Sequence, residues 1–223
     1  MAYKPSSMTP STNEQLIIFV KNPQMGHVKT RLALETSPPI ALTLYKRLLA
    51  YTQEATKGLP FKKSVWYDQK IDYEDLWSNQ SFEKAVQRGD GLGSRMAGAF
   101  LSAFTGGAKK VAIIGSDCPY ITEEIIKEAF HSLDTHDAVI GPALDGGYYL
   151  IGLKKPFEQA FLNKPWSTPS VLQLTISDFQ EAGLSYHLLE ELSDLDTYDD
   201  LQNCDWLYKE FKEIVSRANP PQL

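Results

Sequence analysis

The segment that most limits what this chain can fold into is Val111-Ala-Ile-Ile-Gly-Ser-Asp117-Cys-Pro-Tyr120, where an apolar run stops at a glycine and then presents a carboxylate. A short apolar run bounded by turn residues suits a strand buried on both faces of a parallel sheet. Asp117 then lies just past the strand's carboxyl end. In open α/β sheets this edge binds ligands, because the loops there form a crevice into which the succeeding helix N-termini point. Pro119 stiffens the exit from the strand. Thr122 reads as a helix N-cap, with Glu123 and Glu124 in the first turn and Ile121 and Ile126 as a hydrophobic staple. An acid pinned in this way between strand and helix is placed to hold a metal ion or a ligand hydroxyl.

With 223 residues the chain has room for one large α/β domain, read here as residues 16–218. Residues 1–15, polar and proline-containing, are expected to be a loose N-terminal extension, without the apolar centre of a signal peptide. The formal charge of −6 argues against a general nucleic-acid binder, which needs a cationic stripe to displace counterions. Only Cys118 and Cys204 occur, with no CxxC pair, so neither a disulfide framework nor structural zinc is expected and a reducing cytoplasm fits best. No apolar run approaches the length of a membrane span.

Leu16-Ile-Ile-Phe-Val20 reads as the first parallel strand. The loop after it, Lys21 to Arg31, gathers Lys21, Lys29 and Arg31 around Gly26, whose backbone can turn tightly or approach a ligand closely. Phosphate is the natural partner of such a loop, although three cations alone also describe a solvated basic turn. The loop is no Walker sequence, since Gly26-His-Val-Lys29-Thr30 lacks the Gly-Lys adjacency. Ile40, Leu44, Leu48, Tyr51 and Ala55 recur with helical spacing after Pro38-Pro39, and Lys63 to Tyr67 reads as a second strand. Trp77, in the polar connection that follows, reads as a packing residue. Phe82 to Gln87 is a short strand leading into Arg88-Gly-Asp-Gly-Leu-Gly-Ser-Arg95-Met96, a glycine loop that opens a helix. Its GxGxG spacing is not that of a dinucleotide site, and both a plain turn and a ligand-facing loop fit it.

Ala138 to Gly141 is a further buried strand. Asp145-Gly-Gly then marks a turn, with Tyr148 to Leu153 folding back against the sheet. Asp145 is either the side-chain acceptor of that turn or a ligand group, and close approach of a ligand explains Gly146 and Gly147 equally well. Thr168 reads as an N-cap with Pro169 at the first helical position, and Gly183 as that helix's stop. Tyr186 to Leu189 is a last short strand. Asp194 and Asp196 flank a helix start, where carboxylates often cap; Leu201, Cys204, Tyr208, Phe211 and Val215 form one stripe on the helix beyond. The Pro220-Pro221 tail reads as loose.

Several of these stretches together resemble one bacterial family. They are Phe19-Val-Lys-Asn-Pro with Gly26-x-Val-Lys-Thr-Arg-Leu32, Gly91-Leu-Gly-x-Arg-Met96, Ile114-Gly-Ser-Asp-Cys-Pro119, Gly141-Pro-Ala-x-Asp-Gly-Gly-Tyr-Tyr-Leu-Ile-Gly-Leu153, Trp166-Ser-Thr and Asp194-Leu-Asp-Thr-x-x-Asp-Leu201. The family is described as glycosyltransferase-like or as a domain of unknown function, within the GT-A, nucleotide-diphospho-sugar transferase superfamily. The resemblance spans about residues 16 to 203. It implies a three-layer α/β/α, Rossmann-like GT-A fold with a mostly parallel central sheet and helices on both faces.

By the same resemblance, Lys21, Gly26, Lys29 and Arg31, with Arg95 from the glycine loop, are expected to bind a nucleotide or nucleotide-sugar. Asp117 and Asp196 would hold Mg²⁺ or Mn²⁺, since hard carboxylates with phosphate oxygens and waters suit those ions. Asp145 with Asp117 would serve catalysis, and Gly146, Gly147, Tyr148 and Trp166 would meet a small-molecule or glycan acceptor. The motifs point to two reactions. Ser116-Asp117-Cys118 carries one acid where many glycosyltransferases of this fold have Asp-x-Asp, and Asp-Thr-x-x-Asp-Leu is similar to cytidylyltransferases. The first loop, however, lacks the Gly-x-Gly-Thr-Arg of sugar nucleotidyltransferases. Glycosyl transfer from a nucleotide-diphospho-sugar is the leading expectation. The alternatives are nucleotidyl transfer with release of pyrophosphate, and nucleotide binding without catalysis.

Overall fold

Alternation along the interior strands sends successive side chains to opposite faces, and each face is covered by helices. In the computed structural model, which describes residues 11–218, seven strands form one sheet in the order β3-β2-β1-β4-β6-β5-β7. They are β1 (Ser11–Val20), β2 (Phe61–Tyr67), β3 (Glu83–Val86), β4 (Lys110–Ile114), β5 (Ala138–Pro142), β6 (Tyr148–Leu153) and β7 (Tyr186–Leu188). Only β6 runs against its neighbours: it pairs antiparallel with both β4 and β5, while the remaining pairs are parallel.

Leu16, Ile18 and Val20 of β1, with Ala112 and Ile114 of β4, pack on α2 (Pro38–Lys57) and α4 (Glu123–Thr135). The alternate residues Ile17, Phe19, Val111 and Ile113 pack on α3 (Leu92–Thr105), on the 3₁₀ turn Glu158–Phe161 and on α5 (Val171–Glu181). The fold is therefore the three-layer α/β/α arrangement with a mostly parallel sheet. A third cluster joins Leu32 of α1 (Thr30–Glu35) and Leu44 and Leu48 of α2 to Leu201 of α6 (Tyr198–Asn203) and Leu207 of α7 (Asp205–Ala218). It fastens the chain's last helices beside the loop that follows β1.

β1 lies between β2 and β4, so chain connections leave it in opposite directions along the sheet. The loops after β1 and β4 consequently diverge and open a crevice between their carboxyl ends, the switch point of such sheets. Lys21 and Asp117 stand on its two sides.

Four sequence readings change. The first strand begins at Ser11, within the stretch read as an extension, because polar residues there are paired: Lys109 N–H donates to the Asn13 carbonyl, the Lys110 ammonium lies 3.0 Å from Glu14, and the buried Gln15 amide donates to Ser64 Oγ. A search for apolar runs passes over such residues. Residues 1–10 and the Pro220-Pro221 tail lie outside the described residues. Second, α5 begins at Val171 rather than Pro169. Ser170 occupies the N-cap position without a side-chain cap bond, and Thr168 Oγ1 donates to the Pro165 carbonyl. The backbone of Pro169 is held against Gly146, whose carbonyl accepts from Leu172 N–H, and this contact delays the helix. Third, Asp194 and Asp196 do not cap α6. Thr197 does, with Asp200 returning the bond to the Thr197 N–H. Fourth, the last helix is interrupted at Cys204, buried in the third cluster with extended ψ, where Tyr120 Oη donates to the neighbouring Asn203 carbonyl.

Candidate active site

Two joined lobes fill the crevice. The larger, about 320 Å³, lies over the ends of β1, β4 and β6 and reaches Gln87, Leu92 and Met96 on one side and Trp166, Thr168 and Val171 on the other. The smaller, about 180 Å³, is lined by the loop after β1 (Lys21, His27, Lys29, Thr30, Arg31), by Tyr45 and by two acids. Lys21, Asp117 and Asp196 border both lobes.

The walls are held from beneath. Tyr45 rises from α2 and its hydroxyl accepts from Lys21 N–H (2.9 Å), donates to the Lys21 carbonyl (3.0 Å) and lies 3.3 Å from Ser116 Oγ. One phenol thus ties the loop after β1 to the loop after β4. Asn22 fixes the same loop to the segment after β2 by accepting from the N–H groups of Gln69 and Lys70. Gln87, buried at the end of β3, donates to the carbonyls of Val20 and Trp66.

At the junction of the lobes the Lys29 ammonium lies 2.5 Å from Asp117 Oδ1 and 3.0 Å from Asp196 Oδ1, with its side chain only 3% exposed. Burial pulls this amine's pKa down, but the charges of Asp117 and Asp196 and the hydrogen bonds to both outweigh it, so the pKa stays above the ordinary lysine value. Burial likewise pushes Asp117 up, and Lys29 together with the charge of Lys21 returns it below the usual carboxylate range. Lys29 reaches this position from a left-handed backbone (φ 47°) at the residue preceding α1, a conformation unfavourable for a side-chain-bearing residue.

Asp194, on the wall of the larger lobe, is pushed up to about 7 by burial and then by the charges of Asp117, Asp145 and Asp196, against which Lys29 acts only in part. Asp145 serves the turn after β5, where its Oδ1 accepts from Gly147 N–H at 2.9 Å, and it also borders the larger lobe. The turn reading of Asp145 therefore coexists with exposure to the cavity.

Not every residue expected at the site lines it. Gly147, Tyr148 and Trp166 border the larger lobe and Arg31 the smaller, whereas Gly26 and Arg95 border neither. Gly26 takes φ +79° in the exposed turn of its loop, and Arg95 Nε donates to the Gly89 carbonyl. Gly146, also at positive φ, faces Pro169 rather than the cavity. Trp166 meets Tyr148 edge to face, and its indole nitrogen packs where a side chain on Gly93 would stand. The Tyr148 hydroxyl is buried, and burial pushes its pKa up, against which the Thr175 hydroxyl acts in part. Tyr45, Gln87 and the cavity position of Asp194 escaped sequence reading. Tyr45 looks like one more apolar position of an amphipathic helix, and Asp194 like a cap.

Residues 47–168 match the family described as uncharacterized protein conserved in bacteria (DUF2064). The chain belongs to this family. Among solved structures it is similar to a candidate nucleotide-diphospho-sugar transferase from Desulfovibrio desulfuricans G20, at 30% identity over 89% of this chain and 98% of that one, with a TM-score of 0.78. It shares its fold, at 12% identity, with the inositol-1-phosphate CTP transferase from T. maritima (92% of this chain, 98% of that one, TM-score 0.55). The same holds, at 14% identity, for the bifunctional IspDF from Campylobacter jejuni (86% of this chain, 54% of that one, TM-score 0.57). No protein of curated function matches the chain. Among the described residues no helix is long and apolar enough to cross a membrane.

Proposed function

We propose that this DUF2064 chain transfers a glycosyl group from a nucleotide-diphospho-sugar to a hydroxyl of an acceptor that carries no phosphate. One observation carries the choice. Among the described residues lining the larger lobe, Lys21 is the only cation, and it stands at the junction, whereas Asp117, Asp145, Asp194 and Asp196 all border that lobe. A phosphorylated acceptor, as in nucleotidyl transfer onto a phosphate, would bring more negative charge among these carboxylates with only Lys21 to receive it.

In this reading Lys21, Lys29 and Arg31 receive the diphosphate in the smaller lobe, which they line. The sugar then projects into the larger lobe. Asp145 orients the acceptor hydroxyl and accepts its proton, with Tyr148 and Trp166 as the apolar wall beside it. The donor set suits a hard divalent ion: Asp117 and Asp196 converge on one point, which the Lys29 ammonium takes. Among the described residues no group of three or more His, Cys, Asp or Glu side chains forms a complete metal cage. Asp117 and Asp196 would therefore hold Mg²⁺ or Mn²⁺ together with phosphate oxygens and water. When bound, such an ion would neutralise charge on the diphosphate.

The single acid after β4 and the Asp196-Thr197 motif favour a second reading, nucleotidyl transfer. Incubation with Mn²⁺ and a panel of nucleotide-sugars and nucleoside triphosphates separates the two. Glycosyl transfer releases a nucleoside diphosphate from one nucleotide-sugar. Release of pyrophosphate from a triphosphate would replace the first reading by the second, and binding without turnover of any donor would leave a nucleotide-binding protein.

A further inference from the structure

The ion pair at the junction of the lobes has a consequence for the order in which ligands enter. Asp117 and Asp196 come from distant parts of the chain, brought together where Leu195 N–H donates to the Asp117 carbonyl, and their carboxylates both meet the Lys29 ammonium, at 2.5 and 3.0 Å. The space between them is filled by a cation that belongs to the protein. That cation is carried on a backbone in the left-handed region and is 3% exposed, while its partners are 37% and 50% exposed on their side chains. The carboxylates thus face the cavity and the ammonium closes the gap behind them. A divalent ion placed between the same two oxygens would meet Lys29 at van der Waals distance and be repelled by it. Lys29 also borders the smaller lobe, together with Lys21, His27 and Arg31. A phosphate there would offer the ammonium a second partner of the same charge as the one it leaves.

We propose that Lys29 is the resident cation of the seat between Asp117 and Asp196, and that a divalent ion takes this seat only when a diphosphate in the smaller lobe draws the ammonium away. Metal and nucleotide are then positively coupled, each raising the affinity for the other by the same factor. The nucleotide-free protein, its seat filled, does not capture metal. Lys29 thus fills the metal seat in one state and binds the diphosphate in the other. The proposal rests on the reading of these two acids as metal ligands.

The test is Mn²⁺ binding, followed by electron paramagnetic resonance, to the protein without nucleotide. Lys29→Met and Lys29→Gln, which keep the length of the stem and remove the charge, are expected to bind Mn²⁺ at least tenfold more tightly than the wild type. Adding Asp117→Asn should abolish that gain, and Lys29→Arg should bind as weakly as the wild type. Wild-type protein that binds Mn²⁺ as tightly as both neutral variants, through Asp117, would overturn the proposal and leave the metal reading standing. If neither the wild type nor the neutral variants bind Mn²⁺, both fall; a gain that survives Asp117→Asn puts the ion elsewhere and also overturns the proposal. Should the neutral variants not fold, thermal unfolding of the wild type decides. Mn²⁺ and inorganic pyrophosphate together must raise the melting temperature by more than the sum of their separate shifts, and an additive result overturns the coupling.

Discussion

The Lys29 ammonium and the Asp117 carboxylate meet at 2.5 Å, one from the loop after the first strand and the other from the loop after the central one. Each needs the other to be charged where it stands: the pair keeps Lys29 above and Asp117 below their ordinary pKa values against burial. Removing Asp117 leaves the enclosed Lys29 ammonium with Asp196 alone, and the loss of a partner to a buried charge costs more than the pair's net worth. Asp117→Asn is therefore expected to destabilise the ligand-free protein by about 2 kcal/mol, below the fully buried limit because the carboxylate is partly exposed. Asp196→Asn, at a longer distance and on a more exposed side chain, should cost about half as much or less. Urea unfolding of the two variants checks the ranking: equal losses would overturn it, and an inverted order would show that Lys29 depends chiefly on Asp196.

Tyr45 joins the two crevice loops through three contacts of one hydroxyl. Tyr45→Phe keeps the packing of the ring, which is buried in the main core, and removes only the hydroxyl. The expected loss is about 1–2 kcal/mol, because the Lys21 N–H and carbonyl lose a partner in partly buried surroundings. Amide hydrogen exchange should report local opening of residues 21–29 in excess of the global change. Uniform exchange throughout the chain would count against a role for Tyr45 in fixing this loop.

Gly93 has no room for a side chain. A Cβ there would stand 2.3 Å from the Phe161 carbonyl and 2.8 Å from the Trp166 indole nitrogen. Gly93→Ala should displace Trp166 from the cavity wall and destabilise the protein by about 1–3 kcal/mol, in the range of overpacked cores. A shifted tryptophan emission spectrum, absent when the same change is made on a Trp166→Phe background, would locate the effect. An unchanged spectrum would mean that the 3₁₀ turn yields instead.

Asp137 precedes β5 and accepts from both the N–H and the hydroxyl of Ser185, at 3.0 and 2.7 Å, which joins β5 to the start of β7. These bonds hold its carboxyl below the usual carboxylate range. A depressed folded-state pKa means that the unfolded chain binds more protons in acid, so the stabilisation is present above the unfolded value near 3.8 and is lost as pH falls towards the folded one. Asp137→Asn should flatten the part of the acid unfolding curve below about pH 4 and leave the neutral-pH slope unchanged. An acid limb as steep in the variant as in the wild type would assign that limb to other carboxylates.

By itself the sequence determined the layers and the edge of the sheet that carries the site. Leu16 to Val20 and Val111 to Ile114 are apolar without interruption, and only a strand covered on both faces can bury such runs. Asp117 and Lys21, each next to the end of one of these runs, were bound to appear at the same edge because parallel strands align their carboxyl ends. The cap at Thr122 is equally local: its hydroxyl accepts from Ile125 N–H three residues on. Tertiary structure decided what depends on residues far apart in the chain. The polar start of β1 is a strand because Glu14 and Gln15 find partners on β4 and β2, and α5 starts late because Gly146 holds Pro169. Lys29 reads in the sequence as a phosphate ligand, yet in the fold it is claimed by Asp117 and Asp196. Charge is written in the sequence, but which charges share a buried junction is set by how the loops and the final helices pack around it, and there the strength of an ion pair depends on distance and burial.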